Sequence, residues 1–197
     1  MSVKPLLALT IAFASTSALA CSDLLNTDFR PLAGKEKVNL CKEYGGKVLL
    51  VVNTASKCGF TPQYDALEAL HAKYSSQGFA VVGFPSNDFM NQEPGTEAEI
   101  KDFCTLTYGV KFPMFEKVHV KQGEANPFYD KLAAAVGGHY PSWNFYKYLI
   151  DRNGNVVADF TSKITPTDPK LVGEIEKLIA AKPSSESASG KAGSAPN

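Results

Sequence analysis

The apolar residues of this chain fall into short blocks whose internal spacing predicts a sequence of elements. Residues 48–52, Val-Leu-Leu-Val-Val, are continuously apolar and mostly β-branched, the pattern of a strand covered on both faces within a parallel or mixed sheet. Polar Asn53, Thr54 and Ser56 end that run. Gly59, Thr61 and Pro62 then lead into residues 63–77, where Tyr64, Leu67, Leu70, His71 and Tyr74 recur at helical spacing. Residues 79–85 read as a second buried strand, which completes a β-α-β unit with a right-handed crossover.

The same reading continues to the C-terminal side. Residues 96–108 predict a helix that Thr96 caps, with Glu97 and Glu99 at its positive end and Ile100, Phe103 and Leu106 as apolar members. Residues 112–115 lead to a short extended piece, and residues 126–136 predict another helix, ended by Gly137-Gly138. Two further runs, 146–151 and 156–160, are joined through Arg152-Asn153-Gly154-Asn155, a hairpin signal. A last amphipathic helix is expected over 168–181, with Leu171, Ile175, Leu178 and Ile179 on one face. Ahead of the central strand, residues 21–44 alternate short polar and apolar pieces, as small strands and turns do.

The two ends follow different rules. Residues 1–20 carry Lys4, a short apolar run and Ala18-Leu19-Ala20 before Cys21, the layout of a secretory signal peptide and its cleavage site. The run is too short and too rich in Ala, Ser and Thr for a membrane span, so a periplasmic or otherwise exported protein is expected. A lipoprotein anchored at Cys21 is the alternative, although the apolar residue stands at Leu19, one position later than a lipobox usually has it. Residues 183–197 are almost all Pro, Ser, Ala, Gly and scattered charge, a tail that cannot bury enough surface to fold. Residues 21–182 remain as a single domain.

Composition narrows the partners. The chain has 197 residues, 20 basic and 20 acidic, and no basic block, so nothing in it suggests a nucleic-acid or anionic-membrane partner. Four cysteines carry the candidate chemistry. Cys58 falls in the strand-to-helix turn, where helix N–H groups and Lys57 would stabilise a thiolate; the competing reading is a small buried core residue. In an oxidising compartment Cys21 and Cys41 would form a structural disulfide, the alternative being a free thiol at each. Cys104, on the 96–108 helix, reads by itself as core.

Three local sequences then act together. Residues 53–61, Asn-Thr-Ala-Ser-Lys-Cys-Gly-Phe-Thr, residues 84–89, Phe-Pro-Ser-Asn-Asp-Phe, with Gln92-Glu-Pro-Gly, and residues 143–149, Trp-Asn-Phe-Tyr-Lys-Tyr-Leu, resemble the cysteine-containing form of the glutathione peroxidase family in collinear order. The resemblance implies an α/β, thioredoxin-like fold with a central mixed sheet flanked by helices. It also implies a peroxidatic cysteine, Cys58, held by Gln92, Trp143 and Asn144. These three carry N–H donors suited to a thiolate and to the oxygen displaced from a peroxide. Ser86 and Asp88 stand where the family usually has cysteine and glutamine. Cys104 then matches the resolving cysteine of thioredoxin-dependent members.

The implied activity is reduction of hydrogen peroxide and organic or lipid hydroperoxides without a cofactor or metal, by a monomer. The expected reductant is a thioredoxin-like protein rather than glutathione, because Arg30 and Arg152 are the only arginines available to grip the tripeptide's carboxylates. Two rivals belong to other classes. A thiol-disulfide oxidoreductase should carry Cys-x-x-Cys, but its second position is Thr61. A metal chaperone would draw on His71, His119 or His139, which lack ligand spacing.

Overall fold

The computed structural model describes residues 22–181. Its first elements are two short antiparallel strands, β1 (Asp28–Phe29) and β2 (Val38–Asn39), followed by a one-turn helix α1 (Leu40–Tyr44). The helix is a departure from the strands and turns expected there. Asn39 causes it: its side-chain oxygen accepts from the Cys41 and Lys42 N–H groups and so caps the turn.

Strand β3 (Val48–Thr54) is buried along its whole length. It is followed by α2 (Gln63–Tyr74), a 3-10 turn (Ser75–Gln77) and β4 (Phe79–Pro85). Helices α3 (Glu97–Tyr108) and α4 (Pro127–Ala135) come next, then the hairpin β5 (Lys147–Ile150) and β6 (Val156–Phe160), and finally α5 (Pro169–Ala180). The main sheet has the order β4-β3-β5-β6. β3 is parallel to β4, with Val51 opposite Val82, and antiparallel to β5, with Val52 opposite Lys147.

Strand periodicity divides the core in two. Val48, Leu50 and Val52 face Tyr64, Leu67 and Leu70 of α2, Ile100 and Cys104 of α3, and Leu171 and Ile175 of α5. Leu49 and Val51 face the other way, onto a cluster with Phe29, Phe84, Phe115, Phe128 and Leu132. Burying each such side chain contributes about 1.5–3 kcal/mol, so a polar residue anywhere in Val48–Val52 would be costly. At Thr54 the strand leaves this double cover. Because β5 runs antiparallel, the segment just before it lies at the same end of the sheet as the carboxyl ends of β3 and β4.

The N-terminal segment is tied to α3 by charge. Arg30 meets the Glu97 carboxylate through two hydrogen bonds, of 2.5 and 2.8 Å, and lies 3.5 Å from Glu116. Thr96 and Glu99 close a reciprocal capping box at the start of α3, and Gly109, at φ 60°, ends that helix. Residues 1–20, the tail 183–197 and Cys21 lie outside the described residues, so the leader, the tail and the Cys21–Cys41 pairing fall there too. Among the described residues no helix is long and apolar enough to cross a membrane.

The Arg30 pairing gives a pH prediction. The Arg30 hydrogen bonds hold the Glu97 carboxyl down to about 2, below the roughly 4.3 of an unfolded glutamate. The stabilisation is therefore complete above the unfolded value and lost as pH falls towards 2, amounting to at most about 2–3 kcal/mol. Urea unfolding at a series of acidic pH values should show this loss in the native chain. The slope should be shallower in Arg30→Met, and equal slopes would remove the pair from the stability of the fold.

Candidate active site

Cys58 sits in the turn of residues 55–62 at the end of β3, 9% exposed. The turn is closed by Thr61, whose hydroxyl donates to the Ala55 carbonyl at 2.9 Å and accepts from the Cys58 N–H at 3.0 Å. Thr61 thus spends its side chain on holding the loop at the position where a dithiol enzyme would carry its second sulfur. The helix begins only at Gln63, five residues beyond Cys58. The donor on the sulfur is accordingly the Phe60 N–H of the turn, 3.4 Å from Sγ, rather than the first turn of α2. The Lys57 side chain is exposed.

Asn53 fastens the other half of the site. Its Nδ2 donates to the Trp143 carbonyl at 3.1 Å, its Oδ1 accepts from the Tyr146 N–H at 3.0 Å, and its carbonyl accepts from the Phe145 N–H at 2.6 Å. Phe145 stands at φ 64°, a left-handed conformation that costs a phenylalanine about 1–3 kcal/mol. Both of its backbone groups are pinned, since its carbonyl accepts from Lys147 Nζ at 2.7 Å. Lys147 is wholly buried, and burial pushes its amine down to about 7. The backbone reversal presents Trp143 and Asn144.

The loop after β4 reaches the same place. Met90 and Asn91 also have positive φ, Asn91 Oδ1 accepts from Asn87 Nδ2, and Asn87 Oδ1 accepts from the Glu93 N–H at 2.9 Å. Asp88 holds the neighbouring segment. Although burial acts to raise its carboxyl, the Val120 N–H, His119 and the Lys121 N–H hold it below the usual carboxylate range. Ser86 is fully buried.

Of the residues singled out from sequence, Gln92 and Asn144 are joined directly, Asn144 Nδ2 donating to Gln92 Oε1 at 2.9 Å. The Gln92 carbonyl accepts from the Lys57 N–H at 3.0 Å, next to Cys58. The half-buried Trp143 packs on Phe89, with ring centroids 5.6 Å apart. None of the three side chains closes a hydrogen bond on the Cys58 sulfur. Cys104 is 2% exposed in the same core cluster as Cys58, and both are free thiols. Burial pushes the Cys104 thiol up to about 11. It also lines a cavity of 420 Å³ with Leu32, Lys101, Phe112 and Met114.

The histidines have other partners. His71 Nδ1 accepts from the Val81 N–H at 3.2 Å, His119 pairs with Asp88 and His139 lies beside Asp159. Among the described residues no three His, Cys, Asp or Glu side chains are grouped to hold a metal. Asn53 and Thr61 were not singled out as site residues. An amide ending a fully apolar strand, and a hydroxyl three residues after the cysteine, were the available signals.

A lone cysteine at the carboxyl end of a central strand, with loops from β4 and before β5 converging on it, defines a thiol enzyme of the thioredoxin-like class. The chain covers all of a solved structure described as Trgpx in apo form, with 83% of its own length aligned, 32% identity and a TM-score of 0.64. The family model for glutathione peroxidase matches residues 24–133. A glutathione peroxidase homolog, BsaA, of Halalkalibacterium halodurans is 50% identical over 153 residues, 76% of this chain and 95% of that protein. The hydroperoxy fatty acid reductase gpx1 of Synechocystis sp. is 47% identical over 147 residues, 70% of this chain and 86% of that protein. The chain belongs to the glutathione peroxidase family and is a peroxidase of the oxidoreductase class.

Replacing Asn53 by alanine removes both side-chain bonds and leaves the buried Tyr146 N–H unpaired. The expected cost is about 2–4 kcal/mol, read as a lower urea midpoint. Oxidation of Cys58 should slow as well, because Trp143 and Asn144 lose their anchor; an unchanged oxidation rate would separate Asn53 from the site.

Proposed function

We propose that Cys58 is the peroxidatic residue of an exported, monomeric thiol peroxidase. Its thiolate attacks the O–O bond, water or an alcohol leaves, and a sulfenic acid remains. Gln92, Trp143 and Asn144 supply the donors that favour the thiolate and the departing oxygen. The observation that carries this reading is the Cys58 turn, in which an N–H donor faces the sulfur and the hydrogen-bonded Gln92–Asn144 pair is tied to it through Lys57. Hydrogen peroxide and organic or lipid hydroperoxides are the substrates. The fatty-acid hydroperoxide reductase named among the relatives supports the larger ones.

Cys104 then resolves the sulfenic acid. A disulfide needs Cα atoms within about 7 Å, and Cys104 is buried in a helix capped at both ends, so α3 must loosen locally for the bond to form. A thioredoxin-like protein reduces the bridge in preference to glutathione. Both guanidinium groups support that choice. Arg30 is taken by Glu97 and Glu116, and Arg152 donates to the carbonyls of Gly46, Gln77 and Ile179. Neither is left to capture a tripeptide's carboxylates. Residues 1–20 direct export, and a Cys21–Cys41 bridge staples the N-terminal extension.

Cys58→Ser should abolish peroxide turnover without loss of fold. Gln92→Ala and Trp143→Phe should each slow thiolate oxidation, by on the order of 10²-fold; unchanged rates in both would refute their role. Cys104→Ser should consume about one equivalent of peroxide and then stop, even with thioredoxin and its reductase present. Peptide mapping of the wild type after one equivalent should find Cys58 linked to Cys104, with Cys21 linked to Cys41 before and after. Sustained turnover by Cys104→Ser would leave a one-cysteine enzyme. Equal rates with thioredoxin and glutathione systems would undo the donor preference.

A further inference from the structure

Lys147 opens β5 as a lysine with 0% exposure. It stands opposite Val52 of β3 and Phe160 of β6, and by strand alternation it shares a face with Leu149, on the side of the sheet that α2, α3 and α5 cover. An ammonium carries three donors. Here one of them closes a hydrogen bond, to the Phe145 carbonyl at 2.7 Å. An amine withdrawn from water is costly unless it is paired, and a methionine would fill the same space without that cost, so the lysine calls for a reason.

The carbonyl it holds supplies one. Phe145 is the left-handed residue of the reversal before β5, and its ring is fixed in the core, edge-on to Tyr64 with centroids 5.3 Å apart. The Asn53 carbonyl accepts from the Phe145 N–H and so holds the peptide before Phe145. The peptide after it is gripped at both ends, its N–H by Asn53 Oδ1 and its carbonyl by Lys147 Nζ. Trp143 and Asn144 hang from this doubly fixed corner.

We infer that Lys147 is a positioning residue for the oxidation of Cys58, acting through the Phe145 carbonyl on the Trp143 indole and the Asn144 amide, an inference that rests on the reading of those two as donors to the site. With the carbonyl released, the peptide is held at one end only. Its rotation moves Asn144 relative to Gln92, which it meets at 2.9 Å, and Trp143 relative to Phe89. Misplacing a group at a reacting centre by about 1 Å can cost on the order of 10²-fold in rate, so a bond remote from the reacting atoms is sufficient to matter.

The grip varies with charge, because a hydrogen bond from an ionised donor is roughly twice as strong as a neutral one. Burial pushes the Lys147 amine down to about 7. The titratable side chains packed on that side of the sheet are Tyr64 and Tyr74 from α2, Cys58 from the turn after β3, and Cys104 and Tyr108 from α3, while α5 contributes apolar Leu171 and Ile175. None of them acts on the amine, for which burial is the one cause. The charged donor is therefore present below about 7 and lost as pH rises through it, and the reversal is held more firmly on the acid side.

Trp143 is the only tryptophan of the chain, so its emission reports on the reversal. The reduced full chain is mixed with hydrogen peroxide, Cys58 oxidation is followed by rapid thiol quench, and Trp143 emission is recorded across pH. Lys147→Met should oxidise more slowly, by on the order of 10-fold, with altered emission. The wild type should show an emission inflection near 7 that both Lys147→Met and Lys147→Arg lack. Lys147→Arg, which keeps a charged donor at every pH, should recover the wild-type rate and acid-side emission. Glu93 and the His119–Asp88 pair also border this loop, so an inflection that persists in Lys147→Arg would belong to them and overturn the assignment. Oxidation rate and emission in Lys147→Met equal to the wild type's would overturn it too, as would slower oxidation with unchanged emission. Unchanged oxidation in Gln92→Ala and Trp143→Phe would instead remove the donor reading and Lys147 with it. Should Lys147→Met not fold, wild-type emission flat from about pH 5 to 9 would overturn the assignment.

Discussion

A buried amide has to spend all of its hydrogen-bonding capacity, and at Asn53 that requirement joins two distant parts of the chain. The strand that carries it has no access to water, so its side chain must find partners inside the protein. It finds them in the backbone of Trp143 and Tyr146, ninety residues away in the sequence. The Phe145 backbone is bent into a left-handed conformation between those two contacts and held there by Asn53 and Lys147. If β3 moved by one register position, the amide would turn away from this loop and every apolar side chain on the strand would change faces. Core packing and site geometry are thus set by the same strand position.

The site is costly to maintain. Thr54 Oγ1, Ser56 Oγ, Tyr64 Oη, Ser86 Oγ, Glu93 Oε2 and Asn144 Oδ1 are all buried without a hydrogen-bond partner. Thr54, Ser56, Ser86 and Glu93 belong to the carboxyl ends of β3 and β4 and the segments after them, Tyr64 to the first turn of α2 and Asn144 to the segment before β5, at the end of an open sheet where ligands gather. The ionisable groups nearby are displaced in the directions that burial dictates, with Glu93 and Cys104 raised and Lys147 lowered. The apolar layers on both faces of β3 provide the stability that offsets this.

On the proposed two-cysteine reading, the resting arrangement also separates the two steps of the cycle. Cys58 lies in a short turn, where its sulfur receives an N–H. Cys104 lies inside a helix with a capping box at one end and a glycine cap at the other. A turn can present a sulfur without unfolding, whereas a sulfur on the buried face of a capped helix is accessible only when the helix opens. A cavity bounded by Leu32, Phe112 and Met114 lies beside Cys104.

By itself the sequence determined the order and kind of the main elements, because period-two and period-3.6 burial and a capping residue such as Thr96 are local properties. The strand over residues 79–85 and the start of α2 at Gln63 fall where the pattern predicts. The motifs around Cys58, Gln92 and Trp143 were legible too, since their residue types are improbable together by chance. Other features depend on contacts between residues far apart in the chain. That β5 runs antiparallel beside β3 and brings Asn144 to Gln92, that Arg30 and Arg152 are occupied by carboxylates and carbonyls, and that Lys147 is sealed against the Phe145 carbonyl follow from the packing of separate segments. The α1 turn shows the same limit on a small scale. Asn39 is a capping residue by type, but it caps only because pairing with β1 holds the chain extended up to that point. Local chemistry selects elements, while desolvation and hydrogen-bond partners exist only once the elements meet, and those decided which polar groups the site could use.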